Sequence, residues 1–211
     1  MMLKRPDQRV AIFIDTQNMY HSAKHLYGAR VHFGNIVEAA AEGRQIVRTL
    51  AYVAKSKTGE ESAFFEALTQ AGIELKVKDV QEFASGAKKA DWDVGMAVDA
   101  IAMSNRVDAV VLVTGDGDFV PLVEYLKSHG VRCEVVAFEA STNAQLKVVA
   151  DSFLDVSSDL NRFLIRGTRG RAPAANHEQE VPQPTRAPRG RRTAAQEAIE
   201  PNPKRNIRIT F

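Results

Sequence analysis

Five short apolar runs recur along the chain, each followed by a stretch with helical spacing, and this alternation leaves little choice of fold. The runs are RVAIFID (9–15), QIVRTLAYVA (45–54), IELKVKDV (73–80), VDAVVLV (107–113) and VRCEVVAF (131–138). Apolar runs this short read as strands, and the patterns between them predict helices over 18–28, 60–72, after Trp92, over 119–129 and about 142–150. Strands joined through helices lie parallel with helices on both faces, so the fold class is α/β with about five strands in a Rossmannoid sheet. Continuous runs such as VAIFI and AVVLV suit covered strands, whereas the alternation of Ile73, Leu75 and Val77 with Glu74, Lys76 and Lys78 suits an edge. In the helix after Trp92, Val94, Ala97, Val98 and Ile101 recur as the apolar stripe of an amphipathic helix.

Composition excludes some classes. No apolar run approaches the roughly 20 residues that span a bilayer, and MMLKRPDQRV lacks the apolar stretch of a signal peptide, so a cytoplasmic protein without membrane association is expected. Cys133 is the only cysteine, which excludes an internal disulfide or a cysteine-built metal site and reads as a buried thiol. Charge divides along the chain: residues 1–166 hold 19 Lys and Arg against 22 Asp and Glu, net −3, and residues 167–211 hold 9 against 4, net +5. The second segment is rich in Arg, Pro and Gly, with little apolar material before its last six residues; a disordered basic tail is expected there, behind a single domain over 1–166.

In open sheets of this kind, ligands sit at the carboxyl ends of the strands. Asp15 ends the first strand, Asp116 and Asp118 follow the fourth, and Asp93 starts the helix that precedes the fourth. Neighbouring first and fourth strands would bring these carboxylates into one crevice, where they would raise one another's pKa unless a cation compensates. Oxygen ligands without cysteine or paired histidine suit Mg²⁺ or Mn²⁺. The bland alternative is that Asp15, Asp116 and Asp118 are turn and N-cap residues, since TGDGD is rich in the types such turns favour. Asp91 reads as a helix cap, and Asp99, six residues past Asp93, lies well round the helix from it. An EF-hand opening at Asp116 would need Glu where Lys127 stands, an aspartyl phosphatase would want Asp where Gln17 stands, and HSAKH lacks the Glu of a zinc-protease helix.

Four stretches together, AIFIDTQNMY, KKADWDVGMAVDAI, VVLVTGDGDFVPLVEYLKSHGVRCEVVAF and STNAQLKVVADSFLDV, resemble the LabA-like NYN domains, relatives of the PIN-domain nucleases, over about residues 9–165. The resemblance implies a sheet of order 3-2-1-4-5 and a Mg²⁺- or Mn²⁺-dependent ribonuclease leaving 5′-phosphate and 3′-hydroxyl ends. Its metal acids fall on Asp15, Asp93, Asp116 and Asp118, with Asn18 as the polar residue after the first aspartate and Lys89 as the basic residue ahead of Asp93. Asp91 and Trp92 depart from the usual glycine and aliphatic residue before the third-motif aspartate.

Around that centre Thr114 is expected to donate to a water or phosphate, Lys55, Lys57, Lys88 and Lys89 to contact phosphates from flanking loops, and Trp92 either to stack on a base or to pack on the sheet. The expected partner is single-stranded or structured RNA. A homodimer, and a protein partner for the tail through its terminal RNIRITF, are further expectations. The rival reading from another class is an inactive RNA-binding or regulatory adaptor on the same fold.

Overall fold

The computed structural model describes residues 5–55, 61–82, 88–89 and 91–165. Six strands form one parallel sheet: β1 (Arg9–Asp15), β2 (Gln45–Lys55), β3 (Glu74–Asp79), β4 (Ala109–Val113), β5 (Arg132–Ala137) and β6 (Ser152–Asp155), in the order β3-β2-β1-β4-β5-β6. The expected order 3-2-1-4-5 holds for the first five. The added strand is SFLD, which pairs with β5 through Glu134↔Ser152 to Ala137↔Asp155 and is too short to stand out as an apolar run. Among the described residues β3 pairs only with β2 and is the edge strand its alternation indicated.

The helices are α1 (Thr16–Tyr27), α2 (Phe33–Ala41), α3 (Ser62–Gln70), α4 (Asp93–Ser104), α5 (Val120–Ser128), α6 (Ala144–Val149) and the single turn α7 (Leu160–Phe163). They cover both faces because β1, in the middle, alternates apolar side chains at a period of two. Val10, Ile12 and Ile14 pack with Met19, Ile36 and Ala40 of α1 and α2; Ala11 and Phe13 pack with Met96, Ala100 and Val123 of α4 and α5. Each large side chain so buried contributes about 1.5–3 kcal/mol. Cys133 is fully buried, and burial, followed by the nearby Asp151 and Glu134, pushes its thiol up, which makes it an inert core residue.

Two expectations change. Helix α4 turns Met96, Ala100 and Met103 to the core and leaves Val94 and Val98 78% and 58% exposed. Both sets repeat at helical spacing, so periodicity alone cannot choose between them. The flanking lysines are not simply loop residues either: Lys55 ends β2, and Lys88–Lys89 form a two-residue ladder antiparallel to Gln81–Glu82. Lys57 and residues 166–211 lie outside the described residues. Among the described residues no helix is long and apolar enough to cross a membrane.

Candidate metal centre

The carboxyl edge of the sheet gathers the predicted residues where β1 and β4 run side by side. Asp15 closes β1 and caps α1, one carboxylate oxygen accepting from the Asn18 backbone N–H at 3.0 Å and the other from the Thr114 hydroxyl at 3.3 Å. Thr114 is fully buried, and its Oγ1 also accepts from the Asp116 N–H at 3.2 Å. Its hydroxyl therefore positions the two aspartates, a tie between strands in place of the substrate contact expected from the sequence.

Asp116 caps the short turn Gly117–Phe119, its Oδ1 accepting from the Asp118 N–H at 3.0 Å. Asn18 reaches across from α1, its Oδ1 accepting from the Gly115 N–H at 2.9 Å. The two glycines of TGDGD are required by close approach: a Cβ on Gly115 would meet the Thr142 Cα at 3.1 Å, and one on Gly117 would meet the Asn143 amide nitrogen at 2.5 Å. Asn143 in turn donates its N–H to the Gly115 carbonyl at 2.9 Å and caps α6. Thr142 and Asn143 are thus organising residues that sequence reasoning missed; the signal was an Asn-capped helix at the expected helical segment.

Asp93 is the first residue of α4, whose N-cap position is Trp92, and its N–H donates to Asp91 Oδ1 at 2.9 Å, one residue before that position. One carboxylate oxygen from each of Asp15, Asp93 and Asp116 lies within 4.8 Å of the others, and all three residues are half-buried. Asp118 falls outside this group and is exposed. Burial raises the Asp15 carboxyl, with Asp116 adding to the shift. Asp93 is pushed up to about 7 by burial first, then by a hydrogen bond and repulsion from Asp91 and by the charges of Asp116 and Asp15. Three converging carboxylate oxygens are the kind of donor set that a hard divalent cation takes, and the residues fit Mg²⁺ or Mn²⁺.

Trp92 packs: its indole N–H donates to the Val53 carbonyl at 3.0 Å, its ring lies edge-on to Tyr52 at 5.5 Å, and Gly95 leaves the room for it, a Cβ there falling 2.7 Å from the ring. Lys78, which the sequence reading placed only on the edge strand, donates to the Asp91 carbonyl at 2.9 Å with its ammonium 5.5 Å from the Trp92 ring centre. Asp99 belongs to a separate network, accepting from Tyr52 at 2.7 Å and Lys76 at 2.8 Å.

The chain is similar to known proteins in sequence and in fold. The NYN domain family matches residues 9–160. The chain is 26% identical over 180 residues to the low amplitude and bright protein LabA of Synechococcus elongatus, covering 80% of this chain and 93% of that protein. An uncharacterized protein of Methanocaldococcus jannaschii is 25% identical over 158 residues, 74% of this chain and 58% of its own length. A crystal structure of a protein of unknown function from Vibrio parahaemolyticus superposes with a TM-score of 0.70 at 30% identity, covering 78% of this chain and 100% of that one.

Proposed function

The chain belongs to the NYN domain family of the PIN-like nuclease superfamily, and from that premise we propose that it is a metal-dependent ribonuclease hydrolysing phosphodiester bonds at the carboxyl edge of β1 and β4. The observation that carries the proposal is the convergence of Asp15, Asp93 and Asp116 within 4.8 Å, an arrangement that costs folding free energy unless a cation neutralises it. Helix capping accounts for Asp15 and Asp116, but not for Asp93, whose carboxylate caps no helix and stands against Asp91, Asp116 and Asp15.

Mg²⁺ or Mn²⁺ held by these three carboxylates would supply the positive charge that admits a phosphate anion and the acidification of water that makes it a nucleophile. The chain's own residues do the rest. Thr114 and the Asn18 N–H fix the Asp15 carboxylate, so that its oxygens are presented at one position without rearrangement. Asn18 is locked by the Gly115 N–H, and its amide NH₂ engages no acceptor among the described residues, which leaves it to donate to a phosphate oxygen. Asp118 stays exposed on the turn that Asp116 caps, and would contribute charge from the solvent side of the centre. The tail of net +5 would add sequence-tolerant affinity for RNA.

The test is incubation of the purified protein with end-labelled single-stranded and hairpin RNAs in Mg²⁺, Mn²⁺ or EDTA. Cleavage with either ion and none in EDTA is expected. RNA retained but uncut under all three conditions would overturn the reaction and leave a binding adaptor.

A further inference from the structure

Helix α1 leaves the metal centre carrying a surface that neither the carboxylates nor the core uses. Its sequence, TQNMYHSAKHLY, contains no acid, although residues 1–166 hold 22. Thr16, Met19 and Ala23 are the buried positions. Tyr20, His21 and Lys24 are exposed and Gln17 half-buried; at i, i+3, i+4 and i+7 the four form one stripe that flanks the buried line. Tyr20 is 43% exposed, the Lys24 ammonium stands 5.6 Å from its ring centre, and the His21 ring meets it edge-on at 5.5 Å.

We propose that this face of the first two turns of α1, centred on Tyr20 and Lys24, is a stacking platform for single-stranded RNA that holds a nucleotide next to the scissile phosphate. The inference rests on the ribonuclease reading and adds to it the strandedness of the substrate and the path it takes. Tyr20 is five residues beyond Asp15, about 8 Å along the axis at ~1.5 Å per residue, within reach of a nucleotide flanking one at the carboxylates. A ring presents a π-face to any unpaired base, and the adjacent ammonium pairs with backbone phosphate; a duplex offers no free base face. The lack of acids favours a polyanion over a basic protein. Tyr20 belongs neither to the acid trio nor to the buried apolar clusters, so substitutions there are expected to leave the centre intact.

The experiment compares wild type, Tyr20→Ala, Tyr20→Phe and Lys24→Ala, using a labelled single strand of about a dozen nucleotides and the matching duplex. Affinity is read by anisotropy in EDTA, and cleavage kinetics in Mn²⁺. Tyr20→Ala should weaken single-strand binding about ten-fold and raise KM to match with kcat within about two-fold of wild type, while Tyr20→Phe restores both. Lys24→Ala should lower the slope of log affinity against log salt by about one. Unchanged thermal unfolding in Mn²⁺ shows that the centre is intact. Wild-type affinity in Tyr20→Ala, or an equal loss for the duplex, overturns the platform and leaves the ribonuclease standing. A wild type that neither binds nor cleaves RNA overturns the ribonuclease and the platform with it.

Discussion

Replacing Asp93 by Asn separates a metal centre from a mere cluster of helix caps, because the two accounts predict stability changes of opposite sign. With oxygens within 4.8 Å, ionised Asp93 repels Asp15 and Asp116, and Coulomb's law gives about 0.9 kcal/mol per pair in bulk water and about 3.5 at the effective dielectric near a protein surface. The three residues are half-buried, so the water figure is the floor, and removing two pairs relieves at least ~1.7 kcal/mol. Against this stands the loss of a negative charge at the first residue of α4, about 0.3–1 kcal/mol. Repulsion wins by roughly 1 kcal/mol or more, so Asp93→Asn in EDTA at pH 8 should unfold about 2–4 °C higher than wild type. Mn²⁺ reverses the order: a ligand at a hundred times its Kd adds about 2.7 kcal/mol to wild type and little to the variant. pH supplies a further check. The folded-state pKa of Asp93 is raised from 3.8 to about 7, so this group's contribution to stability is complete below 3.8 and is lost as pH rises through about 7. In EDTA, wild type should lose stability from pH 5 to pH 8 by more than Asp93→Asn does. Differential scanning fluorimetry over both series measures this; a variant less stable than wild type in EDTA, with its Mn²⁺ shift intact, refutes the reasoning.

Four further outcomes follow from the same geometry. Asp116→Asn keeps its cap on the Asp118 N–H but should lower RNA cleavage at least about 100-fold in end-labelled assays, with far-ultraviolet dichroism unchanged. Gly117→Ala drives a methyl to 2.5 Å from the Asn143 amide, which is held by its cap of α6, and should cost about 1–3 kcal/mol in urea unfolding together with cleavage activity. Glu134→Leu leaves the buried Arg44 guanidinium, paired to Glu134 at 2.8 Å and 3.0 Å, without its counter-charge, and should cost about 3–5 kcal/mol by the same measurement. Truncation after Arg166 removes a segment of net +5 and should raise KM for RNA with kcat near wild type and flatten the salt dependence; no change in either assigns the tail's charge to something other than RNA.

The sheet was legible because its strands are apolar runs whose order follows from parallel connections, and β1 to β5 stand where those runs lie. What escaped was short or ambiguous. Helix α2 was readable in principle, since Phe33, Ile36, Val37, Ala40 and Ala41 are all buried at helical spacing, but alanine gives a weak hydrophobic signal and the helix has only nine residues. The direction of α4 was not readable. Its valine stripe is more hydrophobic than its methionine stripe in pattern terms, and only the packing of Met96, Ala100 and Met103 against β1 and β4 decides which turns inward. The site was legible at the level of backbone position: Asp15, Asp93 and Asp116 meet because strand ends and a helix start share one edge, whereas Asp118 sits outside the trio because the turn at Gly117–Phe119 carries it past the rim to solvent.

Capping and metal binding looked like rival explanations of the aspartates in sequence, and in the structure the two are compatible. A cap needs one oxygen, and Asp116 spends only Oδ1 on the Asp118 N–H; among the described residues no hydrogen bond engages its Oδ2. Asp15 spends both oxygens, yet on donors that fix the carboxylate without neutralising it. Capping alone would be met as well by Asn or Ser, which bring no charge, so it explains the position of these side chains but not their ionisation. Asp93 has no cap to make and its carboxyl is pushed up to about 7, which places an electrostatic cost on the residue with the least structural reason to bear it. A cost concentrated there is what a cation would relieve on binding. The capping bonds then serve the same end, because two carboxylates pinned to the backbone before any ion arrives lose little further freedom when it does, and that pre-ordering belongs to affinity as much as to the fold.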